Sequence, residues 1–343
     1  MEQNKETSSK AGRMWLRLLA GVLAVLLAIS LLLTNAIRIS IQKTAEKGTQ
    51  AAVTNYLYEH TDYAHLSTWE RVEKIVGQLG RQTSLEDHYE KASIAIARGE
   101  NEEALEHVDA CLTLIDTESS VYTELMMKQG CLRALLQDTE GARESFAIVL
   151  EREPENAQAW LLQTQILIEQ QDVTAAMEHL GAYLALEEGD ASQIAVMAQL
   201  CFGAGEFENV LQYGEQALAM LEDDSEYGEL YRCMGYAALM TEQMDKAGPY
   251  LTAAIERIED NAEIYYYRGI YEMAQNRLKA ALADYDTAIQ NGYQTALAYY
   301  NRGVCSLALE DLDALRADME KVAELDEDPE LTLIAQEILK ELE

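Results

Sequence analysis

Seven segments, beginning at Leu85, Thr123, Ala157, Ala191, Gly228, Ala262 and Ala296, superimpose at a spacing of about 34 residues. The eighth residue of each is short: Ala92, Gly130, Thr164, Ala198, Gly235, Gly269, Gly303. The twentieth is Ala104, Ala142, Ala176, Val210, Ala247, Ala281 and Leu315, again mostly small. The twenty-fourth supplies bulk in Phe146, Leu180, Leu251, Tyr285 and Met319. Small residues at two fixed offsets let a pair of antiparallel helices approach closely, and large ones fill the space beside the crossing point. One such pair leaves an apolar face bare. Stacked neighbours cover it, so the core is continuous and stability is a sum of repeat and interface terms. A period in this range marks a helix–turn–helix array, an architecture that binds partners more often than it performs chemistry.

The pattern resembles the tetratricopeptide repeat over about Leu85 to Pro329. Trp160 stands at that family's fourth position, with Tyr231, Tyr265 and Tyr299 as aromatic equivalents, and Pro154 keeps the proline near the repeat end. The turn position, the fifteenth, holds Gly99 and Gly205 but Gln137, Gln171, Glu242, Asn276 and Glu310 in the other copies. The resemblance implies an all-α, right-handed superhelical solenoid of about seven helix–turn–helix repeats over 85–329. Residues 330–343, with Leu331, Ile334, Ile338 and Leu342 at helical spacing, read as a capping helix. Two departures carry expectations. Gly214 replaces a large residue at position twenty-four, which predicts a looser fourth repeat. Gly248-Pro249 falls inside the second helix of the fifth, which predicts a kink or a late start, because proline removes a donor and clashes with the preceding turn.

Ahead of the array, Leu18 to Ile37 is twenty residues without a charge, long enough as a helix for ~30 Å of hydrocarbon. Lys5, Lys10, Arg13 and Arg17 precede it; Arg38, Lys43 and Lys47 follow. The expected organisation is a basic segment over 1–17, a single-pass transmembrane helix over 18–37 and a helical connector over 38–84. The flanking charges favour a cytoplasmic N-terminus and an extracytoplasmic array, with the reverse topology left open; a cleaved signal peptide is the alternative. In the connector, Ile41 to Tyr58 continues as helix. Ser67 and Glu70 fit a capping box ahead of Val72, Ile75, Val76 and Leu79, a helix expected to pack on the first repeat, or else a free stalk.

Residues 1–84 carry a charge of +3 and residues 85–343 a charge of −37. So acidic an array is repelled by nucleic acid and anionic lipid, and its partner is expected to be a neutral or basic protein or peptide, although an acidic balance more often just keeps an exposed solenoid soluble. Cys111, Cys131, Cys201, Cys233 and Cys305 form no close pair and read as small buried hydrophobes. The five histidines lack zinc-ligand spacing, the acidic runs at 222–224 and 326–330 lack the central glycine of a calcium loop, and no nucleophile or phosphate-loop signature occurs. No enzyme, metal or cofactor is expected.

In the resembling family, positions two, five, nine and twelve of each repeat line a concave groove. The carboxylate clamp of its chaperone-binding members is missing here: Lys128 and Asn301 stand at position six without a basic cluster. The groove positions instead place Met127, Leu161, Gln165, Gln199, Arg232, Tyr236, Tyr266 and Tyr300 as candidate partner contacts, the tyrosines and Arg232 foremost because such residues dominate interface energetics. Tyr265 and Tyr299 are expected in the core, and Arg268 and Arg302 are expected to pair with nearby acids. The function expected is a membrane-anchored scaffold holding a protein or peptide and assembling a membrane or envelope complex. A self-associating spacer and a non-catalytic accessory subunit of an envelope enzyme are the alternatives.

Overall fold

A computed structural model describes residues 49–50, 52–57, 59–60, 85–258, 261–293 and 295–342. The described chain is helical, without a strand, and falls into two compact units that divide between Gly189 and Asp190. In the N-terminal unit, helical residues 52–57 precede three pairs: α1 (Leu85–Arg98) with α2 (Asn101–Leu114), α3 (Tyr122–Leu135) with α4 (Thr139–Arg152), and α5 (Ala157–Glu169) with α6 (Val173–Leu186). The C-terminal unit holds four more: α7 (Ala191–Ala204) with α8 (Phe207–Ala219), α9 (Gly228–Met240) with α10 (Met244–Arg257), α11 (Ala262–Ala274) with α12 (Leu278–Gln290), and α13 (Ala296–Ala308) with α14 (Leu312–Leu325). A last helix, α15 (Pro329–Leu342), packs on α14.

Local chemistry sets these boundaries. The side chains of Asp138, Asn156, Asp172, Asp190, Asn261, Thr295 and Asp311 each accept from a backbone N–H in the first turn of the following helix, satisfying donors that have no intrahelical partner. Each first helix ends in one recurring turn. In the second repeat Asp138 N–H bonds to Arg133 O and Gln137 N–H to Ala134 O; Asp172, Glu206, Gln243, Arg277 and Asp311 repeat the long bond. This is the Schellman arrangement, which needs a left-handed residue at the turn. All seven fifteenth positions adopt it, the five without glycine included.

Positions eight and twenty-four meet across four of the pairs. A Cβ added at Gly130 would stand 2.6 Å from the Phe146 ring, at Gly235 2.7 Å from Leu251, at Gly269 2.6 Å from the Tyr285 ring and at Gly303 2.7 Å from Met319. Side chains in close-packed interiors have no room for such an approach, so glycine at the crossing and bulk opposite it are one feature.

Three expectations change. Gly214 does not loosen its repeat: Met234 from the next first helix fills the space, its Sδ 2.5 Å from where a Cβ would stand. Pro249 neither delays nor breaks α10, which runs through it from Met244 to Arg257; its ring is exposed, and the helix continues although the backbone bond to Asp245 is forfeited. Single-pass membrane localisation is corrected as well, since no helix among the described residues is long and apolar enough to cross a membrane. The segment Leu18 to Ile37 and the Ser67–Glu70 capping box lie outside the described residues. All five cysteines are buried free thiols, as expected for small hydrophobes.

Candidate partner-binding faces

In the C-terminal unit the first helices touch in order, α7 on α9, α9 on α11 and α11 on α13. Side chains three and four apart share a helix face, so Glu229, Arg232, Tyr236 and Leu239 form one stripe on α9, with equivalent stripes beside it on α11 and α13. The floor of this face is a run of aromatic rings. Centroids lie 5.4 Å apart for Phe202–Tyr236, 4.9 Å for Tyr236–Tyr267, 5.8 Å for Tyr266–Tyr267 and 4.8 Å for Tyr266–Tyr293. Asn301 Nδ2 donates to Tyr266 Oη at 3.0 Å.

Arg232 crosses this floor. Its Nε donates to Glu229 at 2.8 Å, its Nη1 lies 3.6 Å from Glu263, and Tyr267 Oη donates to Glu263 at 2.9 Å. Burial opposes the guanidinium's charge, but the neighbouring anionic groups, Glu229 and Glu263 among them, outweigh it and raise its pKa. Burial, helped by Glu263, pushes the Tyr236 hydroxyl up to about 12, and that oxygen is buried without a hydrogen-bond partner.

The sequence assigned Arg232, Tyr236, Tyr266, Tyr300 and Met127 to partner contact. All five are buried, Tyr266 and Tyr300 with 0 % of their surface exposed. Side chains with almost no accessible surface have nothing to offer a partner, so Arg232, Tyr236, Tyr266 and Tyr300 are the floor on which the C-terminal face rests, while Met127 belongs to the buried cluster of the N-terminal unit. The cause lies between repeats: Tyr293 and Asn301 of the following loop and helix close over Tyr266. Tyr265 and Tyr299, expected in the core, are the half-exposed members of their runs. They lie beneath guanidinium groups, Arg268 5.5 Å and Arg302 5.4 Å from the ring centroids. The expected acid partners of those arginines are present: Arg268 binds Asp284 through two bonds at 2.7 and 2.8 Å, and Arg302 reaches Asp318 at 2.6 Å and Asp286 at 2.7 Å. Among the eight residues assigned, Leu161, Gln165 and Gln199 are half-buried. Leu239, Ile270, Met273, Leu297 and Leu307 share that state on the C-terminal face.

The N-terminal unit carries a different arrangement. Lys128, 2 % exposed, donates to Glu124 at 2.6 Å and to Tyr89 Oη at 2.9 Å, with its Nζ 4.5 Å from the Tyr89 ring centroid. Tyr89 Oη in turn donates to Glu124 at 2.6 Å. Burial raises the Glu124 carboxyl, but the hydrogen bonds from Lys128 and Tyr89 overcome it and leave it below the usual carboxylate range. Glu124, Tyr89 and Cys131 occupy positions two, five and nine of their repeats. Val53, Tyr56 and Leu57 are buried in one cluster with Met127 and Cys131. The sequence reading passed over this group. Its signal was the buried spacing of Thr49, Val53, Tyr56 and Leu57 at i, i+4, i+7 and i+8, a helical stripe outside the repeats. Among the described residues, no group of three or more His, Cys, Asp or Glu is placed to hold a metal ion.

Residues 127–191, 234–292 and 266–329 match the model of the tetratricopeptide repeat family. Over these residues the chain carries tetratricopeptide repeats. That fold is generally a non-catalytic scaffold for protein interaction, and the match indicates no enzyme family. No curated protein matches the chain significantly. Among solved structures, the C-terminal part of a tetratricopeptide repeat-containing protein from Cytophaga hutchinsonii superimposes with a TM-score of 0.50 at 14% identity, covering 71% of this chain and 97% of that one. YrrB, described as a tetratricopeptide repeat protein with an unusual peptide-binding site, gives 0.49 at 22% identity over 57% of this chain and 99% of its own. PilF of Pseudomonas aeruginosa gives 0.47 at 17% identity, covering 64% and 97%. At such identities the likeness concerns the fold alone.

Proposed function

We propose that this tetratricopeptide repeat protein is a non-catalytic scaffold that assembles a protein complex by holding a segment of a partner on the first-helix face of its C-terminal unit. The observation that carries the reading is the composition of that face. Half-buried Leu239, Ile270, Met273 and Leu307 sit on a rigid aromatic floor, with the carboxylates of Glu229 and Glu263 at the helix starts. Apolar side chains left partly in water gain by being covered, at about 25 cal/mol per Å², and the carboxylates favour a segment with basic side chains beside its apolar ones. Because the floor is packed before any partner arrives, little ordering entropy opposes binding. Tyrosine and arginine, which the sequence offered as contacts, serve this function by holding the helices in register.

The test is site-specific photo-crosslinking of the full chain in its native cell. A photoreactive residue at Ile270 or Leu307 is expected to trap one discrete protein, and the same residue at Ala283, exposed on the second helix α12, to trap none. Adducts at Ala283 with none at Ile270 and Leu307 would move the binding surface to the outer helices and end this reading.

A further inference from the structure

The first-helix face of the N-terminal unit is covered by a piece of this same chain. Thr49, Val53, Tyr56 and Leu57 are buried while Gln50, Thr54, Asn55 and Glu59 are exposed, so the segment lies on the repeats by one apolar stripe. Val53, Tyr56 and Leu57 share one buried cluster with Ala92 and Ala95 of α1 and with Leu125, Met127 and Cys131 of α3. The stripe therefore joins the core formed by the first two repeats, and His60, whose ring stacks on Tyr56 with centroids 4.1 Å apart, ends it.

Two features separate this contact from ordinary core. The charged group beneath, Lys128, is held by Glu124 and by the hydroxyl and ring of Tyr89, all on the repeats. Removal of the segment leaves that ammonium paired, so departure carries no penalty of an unpaired buried charge. The anchors also have the spacing by which amphipathic helices dock in grooves, with contacts at i, i+3 and i+4. The stretch joining His60 to Leu85 is 24 residues long.

We propose that residues 49–60 are an exchangeable resident ligand of the N-terminal unit's first-helix face, which receives in their place a partner helix with an aliphatic residue at i, an aromatic at i+3, an aliphatic at i+4 and a basic group three places further. This surface is separate from the C-terminal face above, and either assignment can fail without the other.

Cys131 reports on the seat, since it is fully buried in the cluster that the segment joins. Alkylation of each cysteine in the full chain is followed by mass spectrometry. In Val53→Asp/Leu57→Asp, Cys131 is expected to react faster by about tenfold or more, because two carboxylates oppose docking on an apolar face. Cys111, buried within the first repeat pair, is expected to keep its native rate. A peptide of residues 49–60 added at millimolar concentration should restore protection of Cys131, and the same peptide with Tyr56→Glu should not. An unchanged Cys131 rate in the variant, or failure of the native peptide to protect, overturns the proposal. Faster reaction at Cys111 as well also overturns it, since the segment would then be an integral part of the core.

Discussion

The amide of Asn301 donates to the hydroxyl of Tyr266 at 3.0 Å, both side chains buried, and so ties the first helix of one repeat to that of the next. A buried hydroxyl left without its partner costs about 1–3 kcal/mol. Asn301→Ala is therefore expected to lower the unfolding free energy by about that amount, read from urea denaturation. Adding Tyr266→Phe to it should recover part of the loss, because the stranded hydroxyl is then gone. Equal losses in the single and double variants would show that the bond contributes nothing beyond packing.

The fifteenth positions hold left-handed residues in every repeat, with φ of 65° at Gln137, 61° at Gln171, 57° at Glu242, 58° at Asn276 and 65° at Glu310. For an L-residue other than glycine this conformation costs roughly 1–2 kcal/mol. Gln171→Gly is expected to stabilise the protein by about 1 kcal/mol after the entropy of a freer unfolded chain is set against the relieved strain. Asn276→Gly should gain less, since asparagine tolerates this region best. A melting temperature that falls with Gln171→Gly would contradict the strain argument.

Pro249 sits inside α10 with its ring exposed. Alanine there restores a backbone bond to Asp245 and removes a clash, while no buried contact is lost. Pro249→Ala should raise stability by about 1–3 kcal/mol in thermal or urea unfolding. No gain would mean that the helix carries a distortion that alanine does not relieve.

Acid should weaken the N-terminal unit through Glu124. Its carboxyl lies below the usual range in the folded state, where burial is outweighed by the hydrogen bonds from Lys128 and Tyr89. A depressed folded pKa contributes stability that is complete above the unfolded value of about 4.3 and is lost as pH falls through the folded one. Urea midpoints should accordingly drop below about pH 4, and Glu124→Gln should flatten that part of the profile. An identical acid limb in the variant would assign it to other carboxylates.

The repeat frame was legible because it is written in side-chain size at fixed offsets. Gly269 and Tyr285 announce their contact in any copy, and the first helices begin on the frame's positions, with the second one residue early at Tyr122. The acid partners of Arg268 and Arg302 were legible for the same reason, since each bond to Asp284 or Asp318 spans sixteen residues within one repeat. The candidate contacts were less legible. Positions five and nine point away from their own second helix, which a single repeat can show, but what covers them comes from elsewhere in the chain.

By itself the sequence determined the helical pairs, the caps, the left-handed turns and the close crossing of each pair, because these depend on residues less than one period apart. Only the tertiary structure decided which tyrosines are floor and which keep a wet edge, that Met234 fills the space at Gly214, and that Val53, Tyr56 and Leu57 share a buried cluster with Cys131. Those outcomes depend on contacts between repeats and across a long stretch of chain. Burial there is set by how much neighbouring surface arrives, a quantity that no local pattern of residues encodes.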